Sequence, residues 1–504
     1  MLTLPGRSCR SGVALLLVLS ASVAGAQEGA RRGGLALVGA TVIDVVSGAR
    51  TPNTTVLLQG DRIVGMGPAG TTRVPSGARV VRLPGKFIIP GLWDMHVEQA
   101  LPLWDRAPVD SNAGFFHPLF LAYGVTGVRD VAGPVAVLGR WKDEIARGMR
   151  VGPRLVYSGP KLGAAPVAPG APFPVTTRNE VSRSVALLKE GGASAVYVLQ
   201  LRRDLYPTLF ADARSASLAV EGSIPYTTSL WDAATNGQRV VDHLDAVLAS
   251  SSTAEAALRR WQQAVDERPW WARVAWKLRL MRPPSEGPQM TLEDWSAARA
   301  NSLFVHLAAH RTFQVPTLRL LGTVYRSADS AVRLPPRPLQ LRAPRRPVAG
   351  WPSAPLDPAD PRARVHDKMR WSVGAMQRAG VPIMAGSDTP NLYAAPGLSL
   401  HDELALLVRA GLSPLQALQS ATWRPAQYLA ATDTLGSVSA GTVADLVVLD
   451  ADPTLDIAAT RAISYVVSRG RLYDRAALDS MRARGTSMAR DIEQFWLMKE
   501  SGRK

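Results

Sequence analysis

Ile89-Pro90-Gly91-Leu92-Trp93-Asp94-Met95-His96-Val97-Glu98 is an apolar run that ends in a His-x-carboxylate pair. Residues two apart on a β-strand project from the same face, so His96 and Glu98 are expected to grip one divalent cation together. An ordinary strand end fits the same ten residues. The choice between the two readings depends on what surrounds the stretch.

Outward from it, short β-rich runs alternate with helical patterns, as a (β/α)8 barrel requires. The first strand is placed at Phe87 to His96 and the next three at 127–131, 154–158 and 195–199. The last four are placed near 219–224, 240–243, 314–318 and 382–387. Active sites of such barrels sit at the C-terminal ends of the strands, which makes the strand-end residues the ones to examine. Before the barrel, Leu35 to Val45 and Thr55 to Met66 alternate apolar and polar residues around a Gly60-Asp61 turn. After it, Val443 to Leu449 and Ile463 to Tyr473, with a turn at Gly470-Arg471, do the same. The two ends are expected to pair.

Six further motifs follow in order: Gly124-Val125-Thr126-Gly127-Val128-Arg129-Asp130, Gly152-Pro153-Arg154, Gly386-Ser387-Asp388-Thr389-Pro390, Gly411-Leu412-Ser413-Pro414, Ala421-Thr422 and Gly441-Thr442-Val443-Ala444-Asp445-Leu446. With the opening stretch, their order and spacing resemble the amidohydrolase superfamily, in particular its imidazolonepropionase-like branch. The resemblance implies an α/β fold, a (β/α)8 TIM-like barrel over residues 87–432. Beside it would stand a composite β-sandwich built from 27–86 and 433–504, the latter segment ending in a helix. It also implies hydrolysis of a non-peptide or small-peptide C–N bond by a metal-activated water.

Six positions carry the metal chemistry of the resembling family. His96 keeps the first, and Glu98 replaces the second histidine. Tyr197 stands where strand 4 commonly offers a carboxylated lysine, and Ser223 where strand 5 offers a histidine. His243 and Asp388 match the strand 6 histidine and the strand 8 aspartate. Lys161 and Lys189, the nearest lysines to Tyr197, fall on other elements and are not expected to substitute. A second metal would keep only His243, so the resemblance implies at most one divalent ion on His96, Glu98 and Asp388. Zinc, iron or manganese suits that donor set. Asp388 would then accept the proton of the attacking water, and His243 would polarise the carbonyl or carry a proton. Tyr197, Ser223 and His401 are expected to line the substrate pocket. If no metal binds, the same residues are a relic, and the chain is a non-catalytic binding protein. His117, His306, His310 and His366 are expected to be packing or surface residues.

The first 26 residues have a basic start (Arg7, Arg10), an apolar run from Val13 to Val18 and small residues at Ala24-Gly25-Ala26, the pattern of a secretory signal peptide. The expected location is therefore exported, periplasmic or secreted. The single cysteine, Cys9, lies within that peptide, so any metal must be held by histidine or oxygen donors. No segment offers about 20 apolar residues in a row, and no membrane span is expected. The net charge of +17 favours anionic small-molecule substrates. Its arginines are spread along the chain, and the one modest cluster, Arg337, Arg342, Arg345 and Arg346, has no interleaved aromatics, so no nucleic-acid partner is expected. A homo-oligomer is left open. Two long insertions stand out: 254–300, rich in tryptophan, read either as a lid or as packing, and 334–361, rich in Pro and Arg, read as a loop.

Overall fold

The computed structural model describes residues 34–101, 109–163, 173–224, 228–266, 293–324, 357, 360–390 and 394–501. The expected signal peptide, the middle of the tryptophan-rich insertion and nearly all of the Pro/Arg-rich loop lie outside the described residues. The fold is mixed α/β.

The two ends of the chain do pair. Strands Leu35–Ile43, Arg50–Gln59, Arg62–Pro68, Arg79–Arg82 and Phe87–Pro90 join Leu446–Leu449, Ile463–Ser468 and Arg471–Tyr473 in one eight-stranded sheet. The seam is the antiparallel pairing of Phe87–Pro90 with Leu446–Leu449. One face buries Leu37, Val42, Val56, Ile88, Leu446, Val448 and Val467 together, and this shared core is why neither terminal segment forms a sheet alone. Seven of these strands follow one hydrogen-bonded path and Arg79–Arg82 branches from it onto Leu35–Ile43, where the composite sandwich expected above would have two sheets. Thr55 to Met66 is itself a hairpin around Gly60-Asp61, in place of one continuous strand.

The predicted first barrel strand is divided at Gly91. Phe87–Pro90 belongs to the terminal sheet, and Leu92–Val97 begins the parallel part of the molecule. A Cβ at Gly91 would sit 1.9 Å from Thr126 Oγ1, so only glycine lets the chain pass from one sheet to the other here.

Parallel strands follow in two ladders. Leu92–Val97, Val125–Asp130 and Arg154–Tyr157 make one. Phe173–Pro174, Leu162–Gly163, Ala195–Gln200, Ala219–Gly222, Gln238–Asp242 and Phe313–Val315 make the other. The expected eight-stranded barrel is thus not one continuous ladder. Backbone hydrogen bonds nevertheless link the ladders at both edges. Ser194 N–H donates to Tyr157 O at 2.8 Å, and on the other side residues 382–389 lie between them. There Gln314 N–H donates to Pro382 O, Met95 N–H to Ala385 O and Asp388 N–H to His96 O, each at 2.9 Å. The predicted strand 382–387 is present as bridges at Ile383 and Thr389, too short for a ladder of its own. Trp93, Met95, Val240, Phe313, Val315, Met384 and Tyr428 form an apolar cluster that unites both ladders.

Helices cover the parallel strands. Arg178–Glu190 starts with a capping box from Thr177 and Glu180, and Pro414–Ser420 with one from Ser413 and Gln416. The expected C-terminal helix is Arg475–Ser501, which packs on Asp110–Ala122. No described helix is long and apolar enough to cross a membrane.

Candidate metal centre

All the parallel strands end on one side, and three side chains meet there. His96, His243 and Asp388 each offer a ligand atom, and those atoms lie within 4.8 Å of one another. His96 is fully buried near the end of Leu92–Val97. His243 follows Gln238–Asp242, its N–H held by Val315 O at 2.9 Å, and its ring centroid is 5.1 Å from that of His96. Asp388 sits after the bridge at Ile383, 3.4 Å from His96 Nε2. His243 and Asp388 have φ of +65° and +57°, a conformation that costs a residue with a Cβ on the order of 1–3 kcal/mol. The fold holds both ligand-bearing residues in that strained region at the same place.

The tautomer of His243 can be assigned. The Thr317 hydroxyl donates to Pro316 O at 2.8 Å, so its oxygen accepts from His243 Nδ1–H, also 2.8 Å away. Nε2 then presents its lone pair, the form in which an imidazole binds a metal. His96 is clamped between carboxylates, with Nδ1 3.2 Å from Asp242 and Nε2 facing Asp388, yet neither nitrogen has an aligned hydrogen bond. Burial alone would pull its pKa down, but Asp242 and Asp388 push it up to about 10. The pocket therefore calls for positive charge at His96. A divalent cation between His96, His243 and Asp388 supplies it, and this donor set fits a single ion.

Glu98 is not part of this group. It follows the last residue of strand Leu92–Val97, so strand alternation does not extend to it. The Glu98 carboxylate instead pairs with the Lys161 ammonium. Burial opposes its ionisation, and the ammonium overcomes this to hold its pKa below the usual carboxylate value. The three-residue cluster thus has His243 where the sequence led one to expect Glu98. Lys161 does come close to the Tyr197 position, its ammonium 4.9 Å from the Tyr197 ring centroid, but it is paired with Glu98.

Tyr197 is where the sequence places it, fully buried with its ring edge toward His96 at 6.2 Å and its hydroxyl without a hydrogen-bond partner. Ser223 is half-buried just past Ala219–Gly222, and its N–H donates to Val198 O. His401 does not line the site. Its ring nitrogens lie 2.9 Å from Thr460 Oγ1 and from Tyr123 O, a structural tie between helix Leu398–Arg409 and its neighbours. His117 is buried against Trp141, and His366 is buried as well, whereas His306 packs against Trp231 and His310 near the surface.

Beneath the three ligands lies a charged network. Arg129, fully buried, donates to Glu221 at 2.8 Å, to Asp242 at 2.7 Å and to Met95 O at 2.6 Å, and Tyr428 donates to Glu221. Asp242 thereby stays ionised well below the usual carboxylate range despite burial. Asp94 accepts the Ser387 N–H at 2.9 Å and the Ser387 hydroxyl, fixing the segment that carries Asp388. Sequence reasoning passed over Asp94 and Asp242. Both stand one or two residues from a predicted ligand, and that proximity was the available signal.

Residues 345–473 match the amidohydrolase family model. No curated protein matches the chain. Solved structures do resemble it in fold. Bottromycin amidohydrolase superposes with a TM-score of 0.68 at 21% identity, covering 93% of each chain. A Xaa-Pro dipeptidase with bound methionine in the active site gives 0.62 at 18%, covering 88% of this chain and 100% of that one. Ochratoxinase of A. niger gives 0.60 at 16%, with 88% and 96% covered.

Proposed function

We propose that the chain is a member of the amidohydrolase superfamily and that it hydrolyses a carbon–nitrogen bond, of an amide or small peptide, at a mononuclear centre. The observation that carries this reading is the convergence of His96, His243 and Asp388 within 4.8 Å at the ends of three separate elements. The names of the related structures, an amidohydrolase and a dipeptidase, favour amide and peptide bonds as the target. We read the two parallel ladders and residues 382–389 as the staves of a (β/α)8 barrel over 87–432. The terminal sheet would then be an accessory domain from 27–86 and 433–504. A crystal structure with an open parallel sheet would overturn that division.

His96, His243 and Asp388 would hold a divalent cation, zinc before iron or manganese, which would supply Lewis-acid activation of water near neutral pH. The chain's own residues do the rest. Asp388, itself one of the three clustered residues, would also accept the proton, and its strained backbone, tied to His96 O, fixes its direction. His243, its Nδ1–H committed to Thr317, points Nε2 into the same space. Tyr197 brings a buried phenol with nothing to donate to, and a substrate carbonyl or carboxylate oxygen would satisfy it.

The test is a screen of N-acyl amino acids, dipeptides, lactams and cyclic ureas with wild type and Asp388→Asn side by side, with and without zinc. Removal of a general base lowers rates by about 10²- to 10⁴-fold, so the variant should fold normally and turn over at background. Undiminished metal-dependent turnover in the variant would refute the role given to Asp388. An absence of zinc-dependent turnover across the panel would favour the binding-protein reading. Export is proposed from the N-terminal pattern alone. Mass spectrometry of protein recovered from its host should find a start near Gln27, and an intact Met1 would count against it.

A further inference from the structure

The buried charges around the centre can be paired almost completely, and one pair has a consequence for the metal. Arg129 answers Glu221 and Asp242. Lys161 answers Glu98, with the lysine side chain 12% and the glutamate 6% exposed. The Lys161 ammonium also lies over the Tyr197 ring, whose edge faces His96, so its charge sits beside the ligand cluster and away from open water. Its electrostatic reach extends to Asp388 and Asp242. What remains for a cation is the space between His96, His243 and Asp388.

We propose that Lys161 is a resident cation of this centre: its ammonium occupies the Glu98 carboxylate, keeps that group out of the ligand set and limits the site to one divalent ion. The inference rests on the mononuclear reading above. Lys161 follows strand Arg154–Tyr157 and belongs to no metal-binding motif, so it acts through charge and not as a ligand. A fixed single charge close to a doubly charged ion in a partly desolvated pocket repels it by much more than the same pair would in water. Glu98 cancels that repulsion. The pair as a whole is neutral toward the ion, whereas either member alone is not.

A double-mutant cycle separates this from a direct ligand role for Glu98. Zinc is titrated at pH 7 against a chromophoric chelator into wild type, Lys161→Met, Glu98→Gln and the double variant. Circular dichroism checks each fold, and elemental analysis gives the stoichiometry. Wild type is expected to bind one zinc. Lys161→Met should bind it roughly tenfold or more tighter, Glu98→Gln weaker by a similar factor, and the double variant within about threefold of wild type. A double variant as weak as Glu98→Gln would make Glu98 a ligand and overturn the proposal. So would two zinc ions in wild type, or an unchanged affinity in Lys161→Met. Should Glu98→Gln fail to fold with its buried ammonium unpaired, the Lys161→Met and double variants still decide between these outcomes. Zinc bound by Lys161→Met but not by wild type would uphold the resident cation while removing the mononuclear wild-type centre. Zinc bound by neither would sink both.

Discussion

At the scale of single residues, the centre depends on a guanidinium that touches none of its ligands. Arg129 is fully buried, and its fork spans two carboxylates: it holds Asp242 ionised against burial, while burial still pushes the pKa of Glu221 up. One of them, Asp242, orients His96 from the side opposite Asp388. Arg129→Met keeps much of the volume and removes the charge, leaving Glu221 buried without its cation and Asp242 with His96 alone. Breaking a buried pair by deleting one partner costs about 3–5 kcal/mol, and a chemical denaturation midpoint should register the loss. Adding Glu221→Gln and Asp242→Asn to Arg129→Met should recover a good part of it, because neutral amides do not need the guanidinium. If Arg129→Met alone unfolds at the wild-type midpoint, the network contributes no net stability.

At the scale of elements, what could be read from the sequence was what local pattern determines. The strands 125–130, 154–157, 195–200 and 238–242 lie within about two residues of their expected places, because a buried parallel strand is a short apolar run between turn residues. The join at Gly91 was not legible. Pro90-Gly91 interrupts the run, but one Pro-Gly pair does not tell a bend within a strand from a change of sheet, and the need for a missing Cβ arises only when Thr126 comes to lie against it. The predicted strand at 382–387 reduced to bridges for a related reason, since its partners on either side are fixed by Gln314 and Met95 and not by its own pattern. The centre divides the same way. His96, His243 and Asp388 end recognisable strand patterns and were identified. Glu98 was assigned by assuming regular alternation, but the strand ends at Val97, one residue before it. Lys161 went unseen because a four-carbon side chain can cross between elements that sequence spacing treats as separate.

At the scale of the whole molecule, two histidines far from the metal centre should shape its response to acid. His117 is packed against Trp141, and neither of its ring nitrogens has a hydrogen-bond partner. Burial, with a smaller push from Arg150, lowers its pKa to about 3. His401 ties Thr460 to Tyr123, and burial with the nearby Arg461 brings it to about 3 as well. Both therefore stay neutral in the folded chain at pH values where the unfolded chain takes up protons near 6.5. The sign follows: a depressed pKa contributes stability that is complete above 6.5 and is lost progressively as the pH falls toward 3. Carboxylates such as Asp242 lose stability at low pH too, so the wild-type curve alone does not isolate the histidines. The informative quantity is the difference in unfolding free energy between wild type and His117→Phe, followed from pH 8 to pH 4. Phenylalanine fills the same slot against Trp141 and has no proton to gain, so the variant should gain on wild type steadily once the pH drops below about 6.5. The two curves should run parallel above that point. A difference independent of pH across the range would mean that His117 is as easily protonated folded as unfolded, and that its burial against Trp141 is relieved in solution.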